Sequence, residues 1–342
     1  MRIKKWSRRG LRQSLILALA LFLLLHAASC TQDTQAKGVI LAQIGRVTVA
    51  EMAQYYEGLA QEEEAIYRAI LFTNRALLKP QSPGGIVQID KETRDNEAKL
   101  KDLRDRLSQQ FGIRARAAKQ LANTYTALQN LASYDATAEA QRAAGALATE
   151  LQSLEVLPKQ IFPAGASAVS VDGLAKTAAG LLFSAKQSRD IRKGSGAIET
   201  TLREWQKMVA GEAPAYKARS ETYLLVSKTL VGQLIFLQQF GGNALFKDTL
   251  DLFHVIVAPG ELPSGSAAHK LAVQEVIDEQ YEMLRAAAYG VPTYIESALT
   301  RLLDEHQKFR EQQPLTVGEL AAELNRLKET LDVVFPPKKE GV

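Results

Sequence analysis

Cys30 is the residue whose position suggests the most specific chemistry. It is the only cysteine in the 342-residue chain, so it has no partner for an intramolecular disulfide. It directly follows the small residues Ala27, Ala28 and Ser29, and small residues of this kind typically precede a signal-peptide cleavage site. Cleavage after Ser29 would leave a thiol at the new N-terminus, either free or covalently modified. A single cysteine at this position favours modification.

The residues ahead of Cys30 predict a cleaved signal peptide over residues 1–29. Six cations and no acid open the segment: Arg2, Lys4, Lys5, Arg8, Arg9 and Arg12. Residues 15–25 follow as an apolar run, shorter than the roughly 20 residues of a transmembrane helix. A buried core helix would not normally follow such a block of positive charge. Residues 7–11 loosely resemble a twin-arginine export signal, but we favour an ordinary basic n-region.

The motif Ala27-Ala28-Ser29-Cys30 resembles the lipobox of bacterial lipoproteins. It departs from that family at Ala27, where leucine is usual. The resemblance implies a diacylglyceryl group on the Cys30 sulfur, cleavage before Cys30 and acylation of its new amino group. Two or more acyl chains anchor a protein stably to a membrane. The residue after the cysteine is Thr31 rather than aspartate, which in bacteria with two membranes favours the outer membrane, on its periplasmic side or its surface.

Histidines and carboxylates give no further strong site. His254 follows Asp251 by three residues, which is a poor metal site, and His269 lies beside a loop. His306 lies on a helix seam next to Glu305. The chain has no Glu-x-x-His motif of the kind that bundle di-metal sites require. We interpret these histidines as structural and expect no metal.

Other catalytic patterns are also absent from the sequence. There is no Gly-x-Ser-x-Gly elbow, and the glycine pairs at 84–85 and 241–242 lack the preceding strand of a phosphate-binding loop. The Ser264-Gly265-Ser266 stretch has no candidate base beside it. The run Glu62-Glu63-Glu64 reads as a solvated helix face. The sequence therefore predicts no catalytic residue and no cofactor, although folding can bring carboxylates together unseen.

Composition predicts an all-α protein with no basic bias. The chain has 42 Lys and Arg against 38 Asp and Glu, and removing the six cations of the signal leaves a net charge of −2. That balance does not suggest a nucleic-acid partner. Ala, Leu, Gln and Glu abound, and these are strong helix formers. Alternating runs typical of strands are missing. We therefore expect an elongated bundle of long antiparallel helices with coiled-coil-like seams.

The predicted organisation is a lipidated cysteine and tether over 30–47, one helical-bundle domain over 48–335, and a flexible tail over 336–342. The one apolar patch of the tether, residues 39–41, has packing on the bundle as its alternative. Thr48 to Glu51 read as a capping box that starts the first helix. Its predicted apolar face follows three-four spacing: Met52, Tyr55, Tyr56, Leu59, Ile66, Ile70 and Leu77.

A second helix is predicted over 90–134, with a seam of near 3.5-residue period if Arg114 fills its one missing position. The seam consists of Leu100, Leu103, Leu107, Phe111, Ala118, Leu121, Tyr125 and Leu128. A break is expected between Pro158 and Pro163, then a helix over 170–192 and a hinge or turn at residues 194–196. A kink or break is expected near Pro214.

Residues 223–240 are apolar on most sides, which favours a buried central helix, with membrane insertion as the minority alternative. A long helix is predicted over 267–312, bent but not ended at Pro292. Thr316 to Glu319 read as a second capping box, and Pro336 ends the last helix.

These features favour a non-catalytic envelope scaffold that is lipid-anchored outside the cytoplasm and binds an unidentified envelope protein. Two alternatives remain open. One is a membrane-active helical protein, pore-forming-like or membrane-remodelling, that inserts residues 223–240. The other is a hydrolase or ligand-binding bundle with a cleft that the sequence does not reveal. Any likeness between this chain and long-helix scaffold or membrane-active proteins is one of architecture only, and architecture does not fix function.

Overall fold

The protein is an all-α bundle. The computed structural model describes residues 8–76, 90–134, 137–161, 187–237, 249–253 and 267–336, with side chains over 32–75, 90–134, 138–153, 187–234, 249–253 and 271–336. These residues form no strand. Six long helices account for nearly all of them: α1 (Arg8–Ala76), α2 (Lys91–Ser133), α3 (Thr137–Ile161), α4 (Gln187–Leu237), α5 (Ala267–Arg310) and α6 (Val317–Val334). Residues 249–252 add one short helical turn.

Helix α1 is the centre of the bundle, and α2, α4, α5 and α6 all pack against it. Most of its buried residues repeat every seven positions, with three of every seven turned inward, among them Leu41, Ala42, Thr48, Val49, Met52, Tyr55, Tyr56, Leu59, Glu62, Glu63, Ile66 and Ala69. A seven-residue repeat keeps one stripe facing its neighbours along a long helix. The predicted apolar face of the first helix is confirmed over 52–66.

The N-terminal bounds of α1 differ from the sequence prediction. Thr48 does not cap a helix, because its hydroxyl donates to the Ile44 carbonyl inside α1 at 2.9 Å. Residues 32–47 are helical, and Leu41 and Ala42 are fully buried. The stretch predicted as a tether therefore belongs to the core helix, and the packing alternative for residues 39–41 is the correct one.

Helix α2 runs antiparallel to α1 and matches the prediction closely. Asp90 caps it by accepting a hydrogen bond from the Thr93 backbone N–H at 2.6 Å. The predicted seam is buried from Phe111 onward, and Arg114 does fill its missing position at 7% exposure. Toward the N-terminus the seam opens, and Leu103 is 40% exposed.

The expected turn at residues 194–196 and the alternative of a break at Pro214 are wrong. The break expected between Pro158 and Pro163 falls partly outside the described residues, because α3 is described to Ile161. Pro158 lies inside α3, and Pro214 lies inside α4 without ending it. Residues 194–196 form no turn but continue α4. The glycine at 194 has a packing role, since an added Cβ would lie 2.7 Å from Leu147 Cδ2 on α3. The helix predicted over 170–192 lies mostly outside the described residues.

The apolar segment 223–240 is not the central helix. Its described part, up to 234 for side chains, is the last part of α4 and has a buried face that includes Leu224, Val231 and Leu234. Leu225 points outward and is 53% exposed. Among the described residues no helix is apolar over the length needed to cross a bilayer.

Helices α5 and α6 are the two C-terminal helices that the sequence predicts, and they pack against each other. Pro292 lies within α5, as expected. Helix α6 does begin after Thr316, but the capping box does not form. The Thr316 hydroxyl instead donates to Glu305 Oε1 at 2.6 Å, and Glu319 pairs with Arg301. The buried Glu305 carboxylate, which also accepts from the Thr316 N–H at 2.8 Å, closes the α5–α6 connection.

Candidate functional site

The predicted lipidation site lies on the same helix as the core of the bundle. Cys30 falls within α1, although its side chain is outside the described part. Eight residues later, Gly38 is buried where α1 meets two neighbours. A Cβ added at Gly38 would lie 2.9 Å from Ile191 on α4 and 3.1 Å from Ala132 on α2. Eight residues of helix rise about 12 Å, so Cys30 lies close to one end of the bundle.

That end of α1 is held by side-chain hydrogen bonds as well as by packing. The Gln35 amide donates to Gln187 Oε1 on α4 at 3.0 Å and to the Tyr134 carbonyl at the end of α2 at 3.4 Å. Gln187 in turn donates to the Leu131 carbonyl at 2.6 Å. We call this region, where α1 enters the bundle and α2 ends, the anchor end.

A histidine cluster of Tyr125, Ser195 and His306 lies near the anchor end, fully buried between α2, α4 and α5. The Tyr125 hydroxyl is 2.6 Å from His306 Nε2, and the Ser195 hydroxyl is 2.8 Å from His306 Nδ1. Both ring nitrogens therefore have a partner. Burial, with a smaller effect from Arg310, lowers the His306 pKa to about 3. The imidazole is neutral at pH 7 and joins three helices by hydrogen bonds.

The serine and histidine of this cluster do not form an accessible nucleophile and base. All three side chains are sealed from solvent, whereas a catalytic dyad needs room for a substrate beside the hydroxyl. Burial also raises the Tyr125 pKa well above its ordinary value. The arrangement stabilises the core, and the prediction that His306 is structural is consistent with it.

An aromatic layer fills the middle of the bundle. Tyr216 on α4 packs edge-on against Tyr55, Tyr56 and Phe111, with ring centroids 6.0, 6.2 and 6.1 Å away. Arg114 reaches into this layer and pairs with Glu212 at 2.7 Å. Its guanidinium lies 5.8 Å from the Tyr216 ring centre. The Arg114 charge is thereby neutralised by Glu212 while its side chain stays buried at the seam.

A glutamate cluster of Glu62, Glu63, Arg219 and Ser220 follows directly after the aromatic layer along α1. Both glutamates are buried, at 3% and 0% exposure. Glu63 receives both hydrogen bonds of a bidentate ion pair from Arg219. Glu62 Oε2 accepts from the Ser220 hydroxyl at 3.2 Å, whereas Glu62 Oε1 is buried without a hydrogen-bond partner.

The two neighbouring glutamates therefore differ in charge. Burial raises the Glu62 pKa to about 8, and the Ser220 hydrogen bond offsets only part of that effect. Glu62 is mostly protonated at pH 7, while Glu63 shares its charge with Arg219. A buried carboxyl with a pKa near neutrality is able to gain and lose a proton within the physiological range.

The sequence interpretation of Glu62, Glu63 and Glu64 as a solvated face is wrong for the first two. Only Glu64 lies toward the surface, where it pairs with Arg68 and Arg104. The spacing could have shown this, because Glu62 and Glu63 follow Tyr55 and Tyr56 by seven residues and continue their buried stripe. The solvated-face interpretation rested on the charge of the glutamates and not on their seven-residue spacing.

The remaining candidate residues are not brought together. His254 and Ser264-Gly265-Ser266 lie outside the described residues, and the His269 side chain does as well. Asp251 is exposed. Within the described part of the chain, no group of three or more metal-ligating side chains forms.

Comparison with known proteins identifies no relative of this chain. No protein-family model, curated protein or solved structure matches this chain.

Proposed function

We propose that the protein is a bacterial envelope lipoprotein whose helical bundle acts as a non-catalytic scaffold for a partner protein outside the cytoplasm. One observation carries the proposal: the helix that contains the predicted lipidation site, Cys30, is also the helix around which the bundle packs. Acyl chains on Cys30 would join the membrane to the core of the body.

The connection between anchor and body is short. Residues from Gln35 onward are fixed to α2 and α4, so only a few residues separate Cys30 from the bundle. From there α1 extends to Ala76, a further 41 residues past Gln35, or about 60 Å of helix. A rod of this length, attached at one end, supports a role in holding a partner at a set distance from the membrane.

The chemistry inside the bundle also suits a scaffold. The histidine cluster and the two glutamates are at most 3% exposed. Their polar atoms connect helices to one another, as the His306 and Glu63 contacts show. Groups sealed in this way stabilise a long body and are out of reach of a substrate.

The anchor is tested by Cys30→Ala in cells that process lipoproteins, with Thr31→Ala as the matched control. We expect the Cys30 variant to lose acyl labelling and to leave the membrane fraction, while the Thr31 variant keeps both. Retention of Cys30→Ala in washed membranes would contradict lipid anchoring. The uncleaved signal must be followed on the same blot, because an unprocessed precursor also sediments with membranes.

The scaffold role is tested by crosslinking the anchored protein in intact cells and isolating the complexes from solubilised membranes. We expect one defined protein partner in stoichiometric amount, lost or reduced for the released Cys30→Ala protein. A monomer that recovers no partner and turns over a substrate would overturn the proposal.

A further inference from the structure

We propose that Glu62 is a proton-controlled contact between α1 and α4. While its carboxyl group is neutral the two helices stay closed at this point, and when the carboxyl ionises they loosen locally. The contact is independent of the lipid anchor, so this inference stands or falls separately from the proposed function.

Among the described residues, Glu62 forms no ion pair of its own. The side chain lies on the inward stripe of α1, and its single hydrogen bond comes from a neutral hydroxyl, Ser220. Oε1 has no partner. Arg219, whose charge partly lowers the Glu62 pKa, is bound by both oxygens of Glu63. A charge on Glu62 would thus be buried beside a second carboxylate, which is strongly unfavourable.

Charged and titratable groups on the surrounding helices are engaged elsewhere. On α1, Tyr55 has its pKa raised by burial and by Glu62, which places a second neutral group near the carboxyl. On α2, Arg104 pairs with Glu64.

The same holds for α5 and α6. On α5, Arg285 and Tyr289 both bind Glu221, the residue after Ser220. On α6, Lys328 and Asp332 act on Glu51, which lies eleven residues before Glu62. Among the residues that the structure describes, Glu62 has the Ser220 hydroxyl as its only hydrogen-bond partner.

The direction of the effect follows from proton linkage. The folded-state pKa of Glu62, about 8, lies above its ordinary value of 4.5. A closed state that binds the proton more tightly than the open state is favoured at low pH and loses that advantage as pH rises from about 4.5 to about 8. Between those limits the opening equilibrium constant rises about tenfold per pH unit.

The test is hydrogen–deuterium exchange of the purified full-length protein, comparing wild type with Glu62→Gln at matched pH from 5 to 8. Comparison at the same pH cancels the intrinsic pH dependence of amide exchange. We expect the wild-type to variant ratio of opening to rise about 100-fold between pH 5 and pH 7 in peptides spanning 59–66 and 216–224. A ratio that stays constant across this range would overturn the proposal.

Glu63→Gln is the matched control, because it changes the neighbouring glutamate in the same way. It removes the partner of Arg219, so exchange should increase at every pH. The lost Glu63 charge and the freed Arg219 both lower the Glu62 pKa, so the pH dependence should weaken without disappearing. If Glu63→Gln abolishes the pH dependence and Glu62→Gln does not, the titrating group is Glu63 and the proposal is wrong.

A second measurement covers the case in which Glu62→Gln does not fold. Infrared difference spectra of the wild-type protein between pH 7 and pH 9 should show one carboxylic acid C=O band converting to carboxylate. The band should shift in Glu62→Asp and persist in Glu51→Gln, which removes another carboxyl of raised pKa. If no carboxyl group ionises in this range, Glu62 is already charged at pH 7 and the proposal fails.

Discussion

The histidine cluster and the glutamate cluster bury polar groups at the same helix seams in opposite ways. In the histidine cluster every ring nitrogen of His306 has a neutral partner. In the glutamate cluster Glu63 is neutralised by a cation, and Glu62 has one oxygen with no partner. The first arrangement is satisfied without any charge, whereas the second is satisfied only while Glu62 holds a proton.

This difference gives the two clusters opposite responses to pH. The lowered pKa of His306 means that its contribution to stability is present above about pH 6.5 and lost as pH falls toward about 3. The raised pKa of Glu62 means that its contribution is present below about pH 4.5 and lost as pH rises toward about 8. Acid weakens the region near the anchor end, and alkali weakens the middle of the bundle.

The largest expected effect comes from Arg219→Met in the glutamate cluster. The substitution leaves the Glu63 carboxylate, which is 0% exposed, without its cation. Breaking a buried ion pair from one side costs about 3–5 kcal/mol, and thermal or urea unfolding followed by circular dichroism measures it. Arg106→Met is the control, because its pair with Asp102 is mostly exposed and is worth less than about 1 kcal/mol. Equal losses in the two variants would show that the Glu63 pair is not buried in solution.

The next effect is the acid sensitivity that His306 confers. A pKa difference of one unit corresponds to about 1.4 kcal/mol. Because the unfolded imidazole is already half protonated at pH 6.5, His306 should account for a loss of about 2 kcal/mol between pH 6.5 and 4.5. Unfolding free energies of wild type and His306→Gln, measured across this range, isolate the contribution. The difference between the two proteins should shrink steadily as the pH falls. A difference in unfolding free energy that does not change with pH would mean that the His306 pKa is not lowered by folding. The two clusters would then not have opposite responses to pH.

The sequence was sufficient to predict the fold class and most of α2, α5 and α6. Leucine and aromatic spacing over 111–128 gave the correct buried seam, even with Arg114 in it. Prediction from the sequence failed where tertiary contacts override local sequence signals. Thr48 and Thr316 both begin plausible capping boxes, yet one hydroxyl bonds within a continuous helix and the other bonds to Glu305 from the preceding helix.

The two clusters themselves were not predicted, for a related reason. Tyr125, Ser195 and His306 are 70 to 181 positions apart, and only the packing of α2, α4 and α5 brings them together. Ser195 also lay in a presumed glycine turn, whose first glycine proves to accommodate Leu147. The seven-residue spacing predicts that Glu62 and Glu63 are buried, whereas their charge favours a solvated face. The partner that neutralises Glu63, Arg219, lies 156 positions away in the sequence.

A smaller effect is expected where α1 and α2 approach each other beside the histidine cluster. A Cβ at Gly45 would lie 2.2 Å from Tyr125 Cε1, so Gly45→Ala must displace the ring whose hydroxyl contacts His306. Overpacking of this kind costs about 1–3 kcal/mol. Gly211→Ala on α4 is the control: nothing lies within 4 Å of its added Cβ, and alanine should stabilise the helix by about 1 kcal/mol. If both variants gain stability, α1 and α2 lie farther apart than the structure shows.

The smallest effect tests whether the histidine cluster is held in one tautomer. Either Tyr125 donates to Nε2 while Nδ1–H donates to Ser195, or both bonds run the other way, and each arrangement satisfies the ring. Ser195→Ala removes the partner of Nδ1, and a bare ring nitrogen is less costly than an unpaired N–H. The proton should therefore move to Nε2, at a loss of about 1 kcal/mol, and Tyr125→Phe should favour the Nδ1 proton instead. Nitrogen-15 chemical shifts of His306 distinguish the two forms. Identical shifts in both variants would mean that the hydroxyls do not set the tautomer, and that packing alone positions His306.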